Sequence, residues 1–95
     1  MDHSHEKVIS YIDTFHRAQM EKHFPARFAI WEISQATGCN PRSIERILNM
    51  LRTIKLVGKM PRGYKHKYWE CTSRWTNTSD VIAKFEMAYA MRDEF

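Results

Sequence analysis

Ile33-Ser34-Gln35-Ala36-Thr37-Gly38-Cys39-Asn40-Pro41-Arg42-Ser43-Ile44-Glu45-Arg46-Ile47 stops one helix and starts another within a few residues. Gly38 halts the first, because glycine takes a positive φ at low cost. Asn40 is among the best helix N-caps, and Pro41 suits the first helical position. The preceding helix runs from Ile30 to Thr37, with Ile30, Ile33 and Ala36 turned inward. The following helix spans residues 41–55. Its apolar stripe is Ile44, Ile47, Leu48, Leu51 and Ile54, and Arg42, Glu45, Arg46, Asn49 and Arg52 occupy the other face.

Downstream, Leu56 to Met60 reads as a strand, Pro61-Arg62-Gly63 as a turn, and Lys67 to Thr72 as a returning strand. Tyr68, Trp69 and Cys71 have high strand propensity. The hairpin of residues 56–72 thus carries a basic tip of Arg62, Lys65, His66 and Lys67. Residues 73–78 read as a loop. Ser79 or Thr78 caps a last helix over 79–92, whose apolar face is Val81, Ile82, Phe85, Ala88 and Tyr89. Upstream, Val8, Ile9, Ile12, Phe15 and Ala18 fall at helical spacing over 5–22, with Ser4 as N-cap and a stop before Pro25. Arg27-Phe28-Ala29 is a short strand candidate. Trp31 and Trp69 are assigned to the core, and Trp75 caps the core or sits under the last helix.

The 95 residues suit one domain, and 43% apolar with 13% aromatic content is that of a folded chain. The net charge of +4 is unevenly spread. Residues 1–39 carry −1, residues 40–75 carry +7 and residues 76–95 carry −2. All the excess positive charge therefore lies in the middle third, as expected of a surface that meets phosphate. No apolar run has the length of a membrane span, and no signal-type apolar core follows the N-terminus. A cytoplasmic protein is expected, nucleoid-associated if prokaryotic, with no membrane partner. Cys39 and Cys71 form no CxxC pair, and the histidines lack zinc spacing to them. His3 and His5 are read as part of a polar, frayed N-terminus in preference to a metal site. No metal and no cofactor is expected. No catalytic triad, phosphate-binding glycine loop or carboxylate cluster is present, so no enzyme is expected.

In element order, the chain resembles the winged helix-turn-helix family over residues 5–72. Ser34 fills the small position four before the turn glycine. Ile44 is the apolar residue six after it, Ile47 follows three later, and residues 56–72 match the wing. Many members place a glycine between the recognition helix and the wing, whereas here Ile54-Lys55-Leu56 spans that joint. The resemblance implies a mainly α fold with a small β-hairpin wing (α+β) and additional N- and C-terminal helices. It implies that helix 41–55 lies in the major groove of double-stranded DNA. Arg42, Ser43, Arg46 and Asn49 are then the candidate recognition residues. Arginine can hold guanine O6 and N7, and asparagine adenine N6 and N7. Arg62, Tyr64, Lys65 and Lys67 on the wing suit phosphate or minor-groove contact. The plain alternative for Arg42 and Arg46 is solvated helix surface. Glu45 either accepts from a cytosine amine or pairs with a neighbouring cation.

The expected function is sequence-specific DNA binding by a small transcriptional regulator. An accessory role in replication, excision or mobile-element maintenance, or a protein-interaction module, are the alternatives. The last helix either folds back on helix 5–22 or pairs with another copy, and a homodimer through the terminal helices is expected.

Overall fold

The computed structural model describes residues 3–22, 27–60 and 68–92. Its elements are α1 (Ser4–Glu21), β1 (Arg27–Ala29), α2 (Ile30–Thr37), α3 (Pro41–Thr53), β2 (Val57–Lys59), β3 (Tyr68–Cys71) and α4 (Thr78–Met91). Val8, Ile9 and Ile12 recur on one face of α1 and are fully buried. α1 lies against α2, α3 and α4, so it is the element around which the other helices gather. From α2 comes Ile33, from α3 Ile44, Ile47, Leu48 and Leu51, and from α4 Val81 and Phe85. Each such side chain removed from water contributes roughly 1.5–3 kcal/mol.

The strands form an antiparallel sheet in the order β1-β3-β2. Phe28 stands opposite Trp69 across the β1–β3 pair, and both are buried. Val57 stands opposite Cys71 across β2–β3, and the Met60 N–H donates to the Tyr68 carbonyl at 2.8 Å. The expected hairpin is therefore present, with strands of 57–59 and 68–71 that are shorter than expected. Its tip, with Arg62, Tyr64, Lys65 and Lys67, lies outside the described residues.

Several local expectations need correction. Ser4 is the first residue of α1, and His3 flanks the helix without a side-chain cap. Asn77, in place of Ser79 or Thr78, caps α4, its Oδ1 accepting from the Asp80 N–H at 2.9 Å. Thr78 does not cap because its hydroxyl donates to Asp13. α3 ends at Thr53, short of Lys55. Ala18 and Ala36 are exposed. Trp31 is 51% exposed and not a core residue, because α2 buries Ile33 and packs Ile30 against the core while Trp31 falls on its outer side. Trp69 and Trp75 are buried as expected.

Two left-handed residues bracket α3, Gly38 before it and Lys55 after it. Gly38 has φ 74 and ends α2, its N–H donating to the Ser34 carbonyl at 2.8 Å. A Cβ there would meet nothing within 4 Å, so the requirement is conformational and not spatial. Lys55 has φ 65, the left-handed value at the joint where the family often has glycine. Its N–H donates to the Arg52 carbonyl at 3.0 Å, and the Leu56 N–H to the Leu51 carbonyl at 2.9 Å. These are the two bonds of a Schellman ending, closed by burial of both Leu51 and Leu56. The Thr72 hydroxyl donates to the Lys55 carbonyl at 2.7 Å, tying the helix end to the chain after β3.

Among the described residues, Asp13 is the one carboxylate in the core, at 7% exposure. It accepts from Trp75 Nε1 at 2.8 Å, Arg17 Nε at 2.9 Å and Thr78 Oγ1 at 3.0 Å. Burial pushes its carboxyl upward, but the bonds from Trp75, Arg17 and Thr78 and the Arg17 charge outweigh this and hold it below the usual range.

Because the folded value is lowered, Asp13 stabilises the fold fully above the ordinary carboxylate value of about 4. That contribution is lost as the pH falls through the lower folded value. Asp13→Asn is expected to lose about 1.5–3 kcal/mol at neutral pH and to show a shallower further loss in acid, measured by thermal unfolding across the acid range. Wild-type and variant curves that run parallel down to the acid limit would contradict this. At the two left-handed positions the signs are opposite. Gly38→Ala is expected to lower stability by about 1 kcal/mol and Lys55→Gly to raise it by about 0.5 kcal/mol, read as urea midpoints.

Candidate nucleic-acid interface

The α2–α3 turn fixes where α3 points. The Ser34 hydroxyl donates to the Cys39 carbonyl at 2.9 Å. The Thr37 hydroxyl donates to the Ile33 carbonyl at 2.7 Å and accepts from the Cys39 N–H at 3.2 Å. Ser34 is therefore more than a small residue permitting close approach, since it also locks the turn. Asn40 Oδ1 accepts from the Arg42 N–H at 2.8 Å and Pro41 opens the helix, as the sequence suggests.

Ile44, Ile47, Leu48 and Leu51 hold one face of α3 in the core. Arg42, Arg46 and Asn49 lie at i, i+4 and i+7, which places them on one helix face, and all three are exposed. Arg52 is exposed as well. Among the described residues none of Arg42, Arg46 and Arg52 forms an ion pair. Glu45 does not form one either, so the helix-surface pairing considered for it is absent there. By contrast, Asp13 is paired with Arg17 on α1 and Asp80 with Lys84 on α4. Ser43 is half-buried and lines a cleft of about 170 Å³ with Arg46, Ile47 and Met50 of α3 and His5 and Phe85 of the terminal helices. The structure thus separates Ser43 from the open face that carries Arg42 and Asn49.

Beyond α3, Lys55 is exposed at the helix end and Lys59 on β2 lies 5.6 Å from the centroid of the Trp69 ring. Sequence reasoning singles out neither. Their positive charge is legible within the basic middle third, but not their placement beside α3 and the wing. The cleft also has no local signal, because it joins residues near 5, 46 and 85. No helix among the described residues is long and apolar enough to cross a membrane.

No protein-family model matches the chain, and no curated protein does either. Among solved structures, a doubly substituted variant of Lactococcus lactis ZitR aligns with 99% of this chain at a TM-score of 0.57 and 11% identity. This chain spans 59% of the length of that protein. At 11% identity the likeness concerns the fold. With α2 and α3 as the helix-turn-helix and β2–β3 as the wing, the chain has a winged helix-turn-helix fold, mainly helical with a small antiparallel sheet.

Proposed function

We propose that this chain is a sequence-specific double-stranded DNA-binding protein and a small transcriptional regulator. α3 enters the major groove, and Arg42, Arg46 and Asn49 face base edges. Ser43 sits at the margin of that surface. The wing residues Arg62, Tyr64, Lys65 and Lys67 contact backbone or minor groove. The observation that carries this reading is the open face of α3, where Arg42 and Arg46 are exposed and lack a carboxylate partner among the described residues. From Arg42 to Asn49 the helix rises about 10 Å, close to three base-pair steps. The fold shared with a DNA-binding regulator supports the same reading. No step of it calls for catalysis.

A homodimer through the terminal helices belongs to the same proposal. Val81 and Phe85 are already buried within the chain, so a second copy would use what α4 leaves outside. Ala83, Met87, Ala90 and Met91 are exposed there, with Met87 at 67% and Met91 at 48%. The −1 and −2 charges of the end segments repel less than two copies of the basic middle would. Two α3 helices would then read half-sites about 34 Å apart.

Fluorescence anisotropy on a mixed-sequence duplex over a salt series tests the DNA reading. Wild type should bind with a steep salt dependence. Arg42→Ala/Arg46→Ala should weaken binding tenfold or more, since each base-reading arginine is worth about 1–3 kcal/mol, while the salt slope set by the phosphate contacts changes little. No binding by wild type at low salt would defeat the proposal and favour a protein-interaction role. Sedimentation at tens of micromolar should show a dimer that Met87→Glu/Met91→Glu converts to monomer, whereas a wild-type monomer rules the dimer out.

A further inference from the structure

The sequence suggests a frayed terminus around His5, yet this residue lies inside α1 at 3% exposure. Its ring stacks on Phe85 of α4 with centroids 5.1 Å apart. Neither Nδ1 nor Nε2 makes a hydrogen bond. A buried imidazole left this way costs about 1–3 kcal/mol, so a partner is expected. Nε2 faces Glu86 Oε1 at 3.7 Å, which is beyond hydrogen-bond length. The Glu6 carboxylate lies nearby, and the ligand atoms of His5, Glu6 and Glu86 all lie within 4.8 Å of one another.

We propose that His5, Glu6 and Glu86 form a divalent-cation site of the zinc type, joining the first turn of α1 to α4. Zinc takes imidazole nitrogen and carboxylate oxygen at about 2.0–2.2 Å in a tetrahedron, which sets ligand atoms about 3.4 Å apart. The His5–Glu86 separation needs to close by only a few tenths of an ångström. Glu6 is half exposed, with a side chain at 48%, and can swing the rest of the way. Two carboxylates and a neutral imidazole balance a 2+ charge. The positive end of the α1 dipole opposes a cation, but with about half a unit charge against two full ones. The fourth position is open to water or to His3, whose Nδ1 is 3.6 Å from Glu6 Oε1. The cysteines do not compete, since Cys39 is buried and burial pushes the Cys71 thiol up to about 12. The rival state is the metal-free site, in which His5 keeps only its 3.7 Å approach to Glu86.

The test is calorimetric titration of Zn²⁺ into the untagged, metal-stripped full chain without DNA, with thermal unfolding and imidazole NMR in parallel. One zinc per chain is expected, with unfolding raised by roughly 10 °C at a hundredfold excess over the dissociation constant. The His5 ring signals should move. Glu86→Gln and Glu6→Gln should each weaken binding tenfold or more. Glu86 is partly exposed, so its variant will fold even where His5→Gln does not. His3→Ala should weaken binding less than either glutamate variant, because water can take the fourth position. Absence of saturable binding, undiminished binding by Glu86→Gln, or ring shifts confined to His3 or His16 would overturn the proposal.

Discussion

Everything at the junction of the first and last helices depends on Asp13. A carboxylate taken out of water is costly unless donors surround it, and here three donors come from two distant parts of the chain. Arg17 is one turn away on α1, while Trp75 and Thr78 come from the segment between β3 and the start of α4. The bond to Trp75 Nε1 lets that side chain be buried at 7% exposure without an unpaired donor. The bond to Thr78 fixes the first residue of α4. With α4 started there, Phe85 falls beside His5 two turns later and the two helices run antiparallel. Removing the carboxylate thus affects more than one bond, because it sets the register in which α4 covers α1.

That register matters for the candidate interface through α1. α1 contacts α3 as well as α4, so the inner face of α3 rests on a surface whose other side is closed by α4. Four fully or nearly buried side chains of α3 face that surface, at 0% to 6% exposure. The helix is held from within and at both ends, by the Asn40 cap with the Ser34 and Thr37 bonds before it and the Schellman ending after it. Its outer side chains therefore sit on a rigid element rather than a mobile loop, the arrangement that favours specific over merely electrostatic contact.

How much of this is legible in the sequence depends on how local each cause is. The α2–α3 turn is readable because glycine, asparagine and proline act on their own backbone, and the elements flanking it follow in order. The wing strands are readable from propensity, though their ends are not. Lys55 is unreadable because the usual glycine is missing. Its left-handed geometry is imposed by the burial of Leu56 and the Thr72 bond, which arise only in the folded chain. Asp13 gives no signal as a core residue because two of its three partners, Trp75 and Thr78, lie 62 and 65 residues away, and Arg17 at i+4 alone reads as an ordinary surface pair. Trp31 misleads because a tryptophan on an amphipathic helix suggests burial, while an eight-residue helix has room for one deep anchor, and Ile33 takes it. The candidate base readers Arg42, Arg46 and Asn49 are legible as a face. The departure of Ser43 toward the cleft is not, because it depends on where α4 packs.

The distribution of charge has a physical consequence of its own. A chain with 11 acidic groups has enough carboxylates to neutralise most of its 15 cations. On α1 and α4 it does so, with Asp13 on Arg17 and Asp80 on Lys84. On α3 it does not. Glu45 is the only carboxylate of that helix, and among the described residues neither it nor the three arginines there form an ion pair. Exposed pairs would have added a few tenths of a kcal/mol each, so their absence costs little in stability. It leaves the exposed guanidinium groups of Arg42 and Arg46 without a counter-charge on the outer face of α3. A surface chosen for folding alone has no reason to place its unneutralised charge there. The proposed DNA contact, which would exchange condensed counterions for these cations, gives it one.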